Sequence, residues 1–291
     1  MNKKLLLPVV ACALALALGI SGSSYLDCYG RTFIGLPETV PLDSYSLSVM
    51  SCGHNKPTVI IEPGLNVHKE SYYGLLRRIF PYARIMTYDH AGIGESTLSD
   101  NPRTLPFYVE ELRALLAYKK MQPPYILVGH SLGGHIVRYY TDLYPDEVAG
   151  LVFLDHPHED WFRYIRANWS VEEQREYFNW WNPELTNSDQ VKLAERLAYD
   201  ENNDLIRGKE IPASIPVLMF TGDNFKHFRE DPAGKSQDMI AWAEMQHSLI
   251  DKVESAKQIV DWETGHWPHR DKPDEVAREI REFIDEVKLT R

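Results

Sequence analysis

The sequence predicts an α/β domain with a mostly parallel central sheet flanked by helices, and two observations support this prediction. Short apolar runs rich in β-branched residues alternate with longer amphipathic stretches up to residue 155, and the alternation resumes after residue 212. The chain has 291 residues, 44% of them hydrophobic, which is enough for one sizeable domain with an insertion. Strands joined through helices are expected to be parallel and covered on both faces.

Residues 1–22 differ from the rest of the chain and are predicted to be a signal peptide. Lys3 and Lys4 precede an apolar run that ends at Ile20, and small residues follow it. The run is shorter than the ~20 residues of a membrane-spanning helix, so an uncleaved N-terminal anchor is the second interpretation. Either way we expect the folded domain to be exported, to the periplasm or the extracellular space. Membrane contact is expected only through this segment, if it is uncleaved.

The first elements of the domain follow an irregular stretch at residues 25–41. Residues 45–50 alternate polar and apolar side chains, as in a half-exposed strand, and residues 58–61 are apolar and β-branched throughout, as in a buried parallel strand. An exported protein could join Cys28 and Cys52 in a disulfide. Two separate thiols fit the sequence equally well, because spacing alone does not bring the two Cα atoms together.

A helix over 70–80, a strand over 83–88 and an amphipathic helix over 105–119 continue the alternation. A glycine-rich turn at 89–94 lies between the last two elements. It lacks the G-x-G-x-x-G spacing and the lysine of a phosphate-binding loop, so nucleotide binding is not predicted. We expect Asp89 to hold this turn by hydrogen bonds to nearby backbone groups.

The next strand ends at Gly129 and leads into a G-x-S-x-G pattern, after which a helix is predicted over 132–143. This strand–turn–helix setting favours a nucleophile elbow over an ordinary tight turn. Gly129 and Gly133 remove side chains that would clash where the chain passes close by. Ser131 would then lie at the sheet edge, at the N-terminus of the helix. Because serine is a weak nucleophile at neutral pH, the pattern also predicts a base and an acid elsewhere.

This elbow resembles that of the α/β-hydrolase superfamily, and the resemblance extends over about residues 40–288. Four other stretches occur where that family places them: 61–65, 88–96, 150–155 and 265–266. The resemblance implies the α/β-hydrolase fold and a serine esterase or lipase-like activity through a Ser-His-Asp triad. It implies no metal and no organic cofactor.

The resemblance further implies an oxyanion hole formed by the backbone N–H groups of Leu65 and Leu132. Two such donors suit a tetrahedral intermediate, which carries its negative charge on one oxygen. Pro63 stands where the family often has histidine. The alternative is that residues 63–66 form an ordinary connection after the strand.

Residues 156–212 interrupt the alternation with several helical stretches and no strand signal, and a segment this long is too long for a plain loop. We predict a helical cap inserted after the sixth strand, over a core made of residues 23–155 and 213–291. The cap contains four tryptophans: Trp161, Trp169, Trp180 and Trp181. Their rings would either form an apolar roof over a small apolar or acyl substrate or pack the cap's own core.

The predicted core is completed by two strands and two helices, at 216–222, 257–262, 237–254 and 273–287. His266 follows the last strand, where the chain order Ser…Asp…His of the family places the base. Imidazole suits this role because it accepts and returns a proton near neutral pH. His269 is the nearest alternative among the 11 histidines.

Two carboxylates satisfy the same chain order as the acid that orients the base. Asp155 ends the strand before the cap, where several dehalogenases and lipases of the superfamily carry this acid. Asp223 follows the next strand, the usual place, but it comes directly after Gly222 instead of about three residues later. We favour Asp155 and keep Asp223 as the alternative acid.

The charge and the composition argue against two kinds of binding site. A formal net charge of −11 without a basic patch argues against nucleic acid as a partner. No C-x-x-C pair occurs, so a thiolate metal site is not predicted.

The leading hypothesis is hydrolysis of a carboxylic ester or related acyl bond through an acyl-enzyme. The alternatives are a C–C bond hydrolase or a cofactor-free peroxidase on the same triad, or a non-catalytic binding protein of this fold. The sequence does not indicate an oligomeric state.

Overall fold

A computed structural model describes residues 37–181, 190–223 and 237–289, without the side chains of residues 180 and 181. The predicted signal peptide and Cys28 lie outside these residues. Cys52 is half-buried and forms no disulfide with a described residue. Within the described ranges, no helix combines the length and apolar character needed to cross a membrane.

Eight strands form one sheet, in the order β1-β2-β4-β3-β5-β6-β7-β8. The strands are β1 Glu38–Pro41, β2 Ser46–Cys52, β3 Thr58–Glu62, β4 Arg84–Tyr88, β5 Tyr125–His130, β6 Val148–Leu154, β7 Val217–Gly222 and β8 Ala256–Asp261. Strands β1 and β2 run antiparallel to their neighbours, and the other pairings are parallel. The prediction of a mostly parallel sheet is therefore confirmed.

The sheet is accompanied by ten α-helices in the described residues. They are α1 Tyr73–Ile79, α2 Leu105–Tyr118, α3 Leu132–Leu143, α4 Trp161–Asn168, α5 Val171–Trp181, α6 Gln190–Leu197, α7 Tyr199–Ile206, α8 Gln237–Ser248, α9 Pro268–Asp271 and α10 Pro273–Leu289. Short 3-10 helices occupy Lys69–Tyr72 and Pro145–Glu147. Helices α4–α7 lie between β6 and β7, in the segment predicted to be the cap.

Two predictions about elements were wrong. Strand β1 lies within the stretch predicted to be irregular; only Val40 of its four residues is buried, so the strand carries almost no apolar pattern. It is an edge strand that ends at Pro41, a position that tolerates proline. Helix α8 ends at Ser248 instead of residue 254, because the chain then closes turns in which Ile250 N–H donates to His247 O and Val253 N–H to Ile250 O.

Two apolar layers cover the sheet, and β5 contributes to both because successive side chains point to opposite faces. Leu127 packs in the layer that contains α2, α3 and part of the cap. Ile126 and Val128 pack in the layer that contains α1 and α10. All six residues of β5 are buried, which places this strand at the centre of the fold.

The carboxyl ends of four parallel strands lie side by side. Glu62 at the end of β3 pairs with Gly129, and Leu154 at the end of β6 pairs with both His130 and Phe220. The residues that follow these strands therefore meet at one edge of the sheet, where open α/β sheets bind ligands.

Asp89 holds the glycine-rich turn after β4, as predicted from the sequence. Its carboxylate accepts the N–H of Glu95 at 3.2 Å and the N–H of Lys69 at 2.7 Å. Gly94 adopts a φ of 54°, and a Cβ there would lie 2.3 Å from the Asp89 carboxylate. The turn thus depends on glycine at this position.

Candidate active site

Ser131 lies between β5 and α3 in a sharp turn with φ 52° and ψ −121°, a conformation that L-residues rarely adopt. The turn is possible because the neighbouring glycines let the chain approach closely. A Cβ on Gly133 would lie 2.2 Å from the carbonyl oxygen of Glu62, and one on Gly129 would lie 2.6 Å from the Cα of Gly134. The sequence pattern of a nucleophile elbow thus has the geometry of one.

His266 donates a hydrogen bond from Nδ1 to the Asp155 carboxylate, with Oδ2 at 2.7 Å. Asp155 is completely buried at the end of β6. Its other oxygen, Oδ1, accepts the N–H of Gly222 at 3.1 Å, Trp242 Nε1 at 2.9 Å and Gln246 Nε2 at 3.3 Å. Because Nδ1 carries the proton, the neutral His266 ring has its lone pair on Nε2.

The alternative acid, Asp223, lies one residue beyond β7 and is partly exposed. Its backbone N–H donates to the carbonyl oxygen of Thr264 at 2.7 Å. The backbone of Asp223 therefore binds the loop that carries His266. The carboxylate that binds the imidazole is that of Asp155.

His130, next to the serine, lies in a chain of hydrogen bonds behind the site. Its Nε2 donates to the carbonyl oxygen of His266 at 2.9 Å, which leaves Nδ1 to accept from the Tyr72 hydroxyl, also at 2.9 Å. That hydroxyl in turn accepts the N–H of Gly64 at 3.1 Å. Burial, together with positive charge on His269 or His266, lowers the pKa of His130 well below its usual range, so its ring is neutral. These hydrogen bonds connect the loop after β3, the 3-10 helix at Lys69–Tyr72, the end of β5 and the loop after β8.

The loop after β3 approaches the serine closely. A Cβ on Gly64 would lie 3.1 Å from the Cβ of Ser131. The N–H groups of Leu65 and Leu132 have no acceptor among the described residues; Leu132 begins α3, where helical N–H groups are unsatisfied. No hydrogen bond joins Ser131 Oγ to His266 within the described chain. The two N–H groups predicted to bind the oxyanion thus lack an internal acceptor in the described part of the chain.

A cavity of about 310 Å³ contains Ser131, Leu65 and His266 in its wall. Its aromatic lining comes from the cap, from α8 and from the residue after His266: Trp161, Phe162, Tyr177, Tyr199, Trp242 and Trp267. Arg196 of α6 also lines it.

The two cap tryptophans whose side chains are described have different surroundings. Trp161 lines the cavity, whereas Trp169 is buried and donates its Nε1–H to Asp238 at 2.9 Å. Trp169 therefore packs the cap against α8. The side chains of Trp180 and Trp181 lie outside the described residues.

One group of side chains in the described ranges has the spacing of a metal site: His68, Glu70 and Asp89. The ammonium of Lys69 lies 2.9 Å from the Glu70 carboxylate and 2.8 Å from that of Asp89. A divalent cation would face this ammonium at short range, so the donor set does not fit a metal.

Comparison with known proteins agrees with the fold described above. A family model described as the alpha/beta hydrolase fold matches residues 57–179. The chain therefore has the α/β-hydrolase fold. Among solved structures, this α/β-hydrolase resembles a thermophilic esterase from Thermogutta terrifontis, with a TM-score of 0.58, 17% identity and coverage of 87% of this chain and 99% of the esterase. At this identity the likeness shows the fold alone.

Two relatives found by sequence align with different shares of this chain. The uncharacterized protein YqjL of Bacillus subtilis is 35% identical over 103 residues, which cover 35% of this chain and 41% of that protein. The protein named "Putative esterase/lipase" in Haemophilus influenzae is 21% identical over 257 residues, covering 79% of this chain and 84% of the relative. The chain thus spans less than half of the first curated relatives, 41% and 38% of their lengths.

Three residues of the site were not predicted from the sequence. Trp242 and Gln246 bind Asp155, and their spacing of four residues on a predicted helix places them on one face, which was a usable signal. Tyr72 had no such signal, because its partners Gly64 and His130 belong to other elements.

Proposed function

We propose that this α/β-hydrolase is a serine hydrolase that cleaves a carboxylic ester or a related acyl bond through an acyl-enzyme. One observation carries the proposal. The imidazole of His266, oriented by the buried carboxylate of Asp155, shares a cavity with Ser131 at a strained elbow. This is the arrangement of nucleophile, base and acid that acyl transfer requires.

In the first half of the proposed reaction, Ser131 Oγ attacks the carbonyl carbon of the substrate and its proton passes to His266 Nε2. The new negative charge lies on the carbonyl oxygen, where the N–H groups of Leu65 and Leu132 bind it. Asp155 stabilises the imidazolium cation without taking its proton. His266 then gives the proton to the leaving alkoxide, and the acyl group remains on Ser131.

The second half repeats these steps with water. His266 takes a proton from the water, hydroxide adds to the acyl carbonyl, and the tetrahedral intermediate expels Ser131 Oγ, which recovers its proton. The hydrogen bond between Ser131 and His266 that the reaction needs commonly tightens only when substrate is bound. The relatives whose nucleophile is a carboxylate, which open epoxides or remove halide, differ at this position, since this chain has serine.

The cavity suggests an apolar substrate. Its volume of about 310 Å³ and its aromatic walls suit a small acyl or aromatic group, since such pockets are mainly apolar with a few polar groups that orient the ligand. The relative named as an esterase/lipase supports the same class of substrate.

The direct test is the turnover of p-nitrophenyl esters with acyl chains of increasing length. We expect turnover by the wild-type chain, and a loss of at least about 10⁴-fold in kcat for Ser131→Ala, because the nucleophile is removed. Ser248→Ala, at an exposed position outside the cavity lining, serves as the control and should keep its activity. Equal turnover by Ser131→Ala and the wild-type chain would contradict the proposed mechanism.

A further inference from the structure

A buried glutamate joins the cap to the loop that carries Leu65. Glu195, on the cap helix α6, is completely buried. Its Oε2 accepts the backbone N–H of Asn66 at 2.9 Å, and its Oε1 accepts the hydroxyl of Tyr108 at 2.8 Å. One side chain of the cap thus binds both the loop after β3 and helix α2.

Asn66 directly follows Leu65 and adopts a φ of 53°, in the left-handed region. A non-glycine residue keeps such a conformation only when its surroundings hold it there. On the core side, the Gly64 N–H of this loop donates to the Tyr72 hydroxyl, and within the loop itself the Val67 N–H donates to Gly64 O. Within the described chain, the N–H of Asn66 is held from the cap.

The geometry points to Glu195 as a positioning residue for the oxyanion hole. The peptide that carries the Asn66 N–H and the peptide that carries the Leu65 N–H share the Cα atom of Leu65. Because Glu195 fixes the peptide that carries the Asn66 N–H, it also restricts the direction of the peptide that carries the Leu65 N–H. The oxyanion hole is therefore complete only when α6 is docked. This inference rests on the proposed function, because it assigns a task to the same Leu65 donor.

The surroundings of Glu195 agree with a specific role. His90 Nδ1 lies 3.9 Å from its Oε1, and Glu62, Glu111 and Arg103 lie in the same buried cluster. His90 also donates to Glu62 at 2.5 Å.

Burial raises the pKa of Glu195, while the charges of His90 and Arg103 act in the opposite direction. A buried carboxyl group is costly, and an apolar side chain would fill the same place without that cost. The hydrogen bond to Asn66 supplies a reason for glutamate at this position.

Replacement of the carboxyl group should affect the chemical step more than substrate binding. Glu195→Ala leaves the Asn66 N–H without its acceptor, and we expect kcat to fall by about 10–100-fold with KM within about twofold, since misplacing an oxyanion donor weakens transition-state binding. Glu195→Gln should recover kcat to within about threefold, because the amide oxygen accepts from Asn66 and the NH₂ group donates to Tyr108.

A matched control is available one helix further on. Asn202 of α7 is completely buried and also joins cap to core: its Oδ1 accepts the Leu105 N–H at 2.8 Å, and its Nδ2 donates to Arg103 O at 3.1 Å. Neither bond reaches the loop after β3. Asn202→Ala should lower stability while kcat per active site stays unchanged.

The experiment measures kcat and KM on the full chain for the wild type, Glu195→Ala, Glu195→Gln and Asn202→Ala. Active sites are counted by titration to completion with a fluorophosphonate, so that misfolded protein does not count. The inhibition constant of a trifluoromethyl ketone, whose adduct carries an oxyanion, is measured alongside. It should rise for Glu195→Ala by the same factor by which kcat/KM falls, and it should not change for Asn202→Ala.

Three results would overturn the inference while the proposed function stands: unchanged kcat and inhibition constant in Glu195→Ala, equal losses in Asn202→Ala, or no recovery in Glu195→Gln. A wild-type chain that neither cleaves esters nor reacts with the fluorophosphonate would instead overturn the proposed function, and this inference with it.

Discussion

Asp155 accepts four hydrogen bonds, and their donors come from the end of β7, from two positions on α8 and from the loop after β8. No single element supplies all four donors. Its oxygens are used separately, Oδ1 by the structural donors and Oδ2 by His266. The donors to Oδ1 therefore hold the carboxylate in place independently of its bond to the imidazole, as a preorganised site requires.

We expect the same substitution of aspartate by asparagine to change kcat differently at the two candidate acids. Asp155→Asn is expected to lower kcat by about 10³–10⁴-fold, because an amide cannot accept from His266 Nδ1 with the same strength or stabilise the imidazolium. Asp223→Asn should stay within about threefold of the wild type. Steady-state kinetics on one ester would decide, and the reverse pattern would assign the acid to Asp223.

The hydrogen-bond chain behind the serine gives a second prediction at a single residue. Tyr72→Phe leaves the Gly64 N–H and His130 Nδ1 without a partner, so we expect a loss of about 1–3 kcal/mol in the free energy of unfolding and a several-fold lower kcat. Tyr73→Phe is the matched control, since that hydroxyl donates to Glu70 near the surface. Urea unfolding and ester turnover measure both effects, and equal behaviour of the two variants would contradict the assignment.

At the scale of elements, Arg138 of α3 binds both ends of the cap. Its guanidinium donates two hydrogen bonds to Glu159, which precedes α4, and one to the carbonyl oxygen of Lys209, which follows α7. Burial alone would raise the pKa of Glu159, but its hydrogen bonds with Arg138 and the charge of that residue outweigh burial and lower the pKa to about 2. The ion pair thus anchors the cap where its two ends meet.

This lowered pKa predicts how stability depends on pH. A group whose pKa is depressed on folding contributes its full stabilisation above its unfolded pKa, here about 4.5, and loses it as the pH falls towards about 2. The shift corresponds to at most roughly 3 kcal/mol. In urea unfolding between pH 6 and pH 2.5, Glu159→Gln should show a flatter decline than the wild type. Parallel declines would contradict the prediction.

The sequence predicted the elements that carry a local pattern. Ser131, Asp155 and His266 each follow a recognisable strand, so their positions could be predicted from strand ends and chain order, and the structure brings the last two together. The edge strand β1 escaped prediction because one buried residue makes no pattern. Glu195 and Tyr72 could not be predicted either, since their partners are far away in the sequence and a buried polar contact has no period.

At the scale of the whole molecule, residues 1–22 are the part that we propose directs export. Expression of the full chain in a bacterium should place the enzyme outside the cytosol, with a mature N-terminus close to residue 23, because the basic start, apolar run and small residues match a secretory signal. Fractionation and intact mass measure this outcome. Uncleaved protein in the membrane fraction would show an anchor, and uncleaved protein in the cytosol would contradict export.

The central claim is that Ser131 is a nucleophile activated by His266 and Asp155. The measurement that tests it most directly is the rate and position of labelling by a fluorophosphonate, followed by intact mass and peptide mapping. We expect one adduct, on the peptide that contains Ser131, formed far more slowly in Asp155→Asn and at the wild-type rate in Asp223→Asn. An adduct at another residue, or equal labelling rates in all three proteins, would contradict the claim.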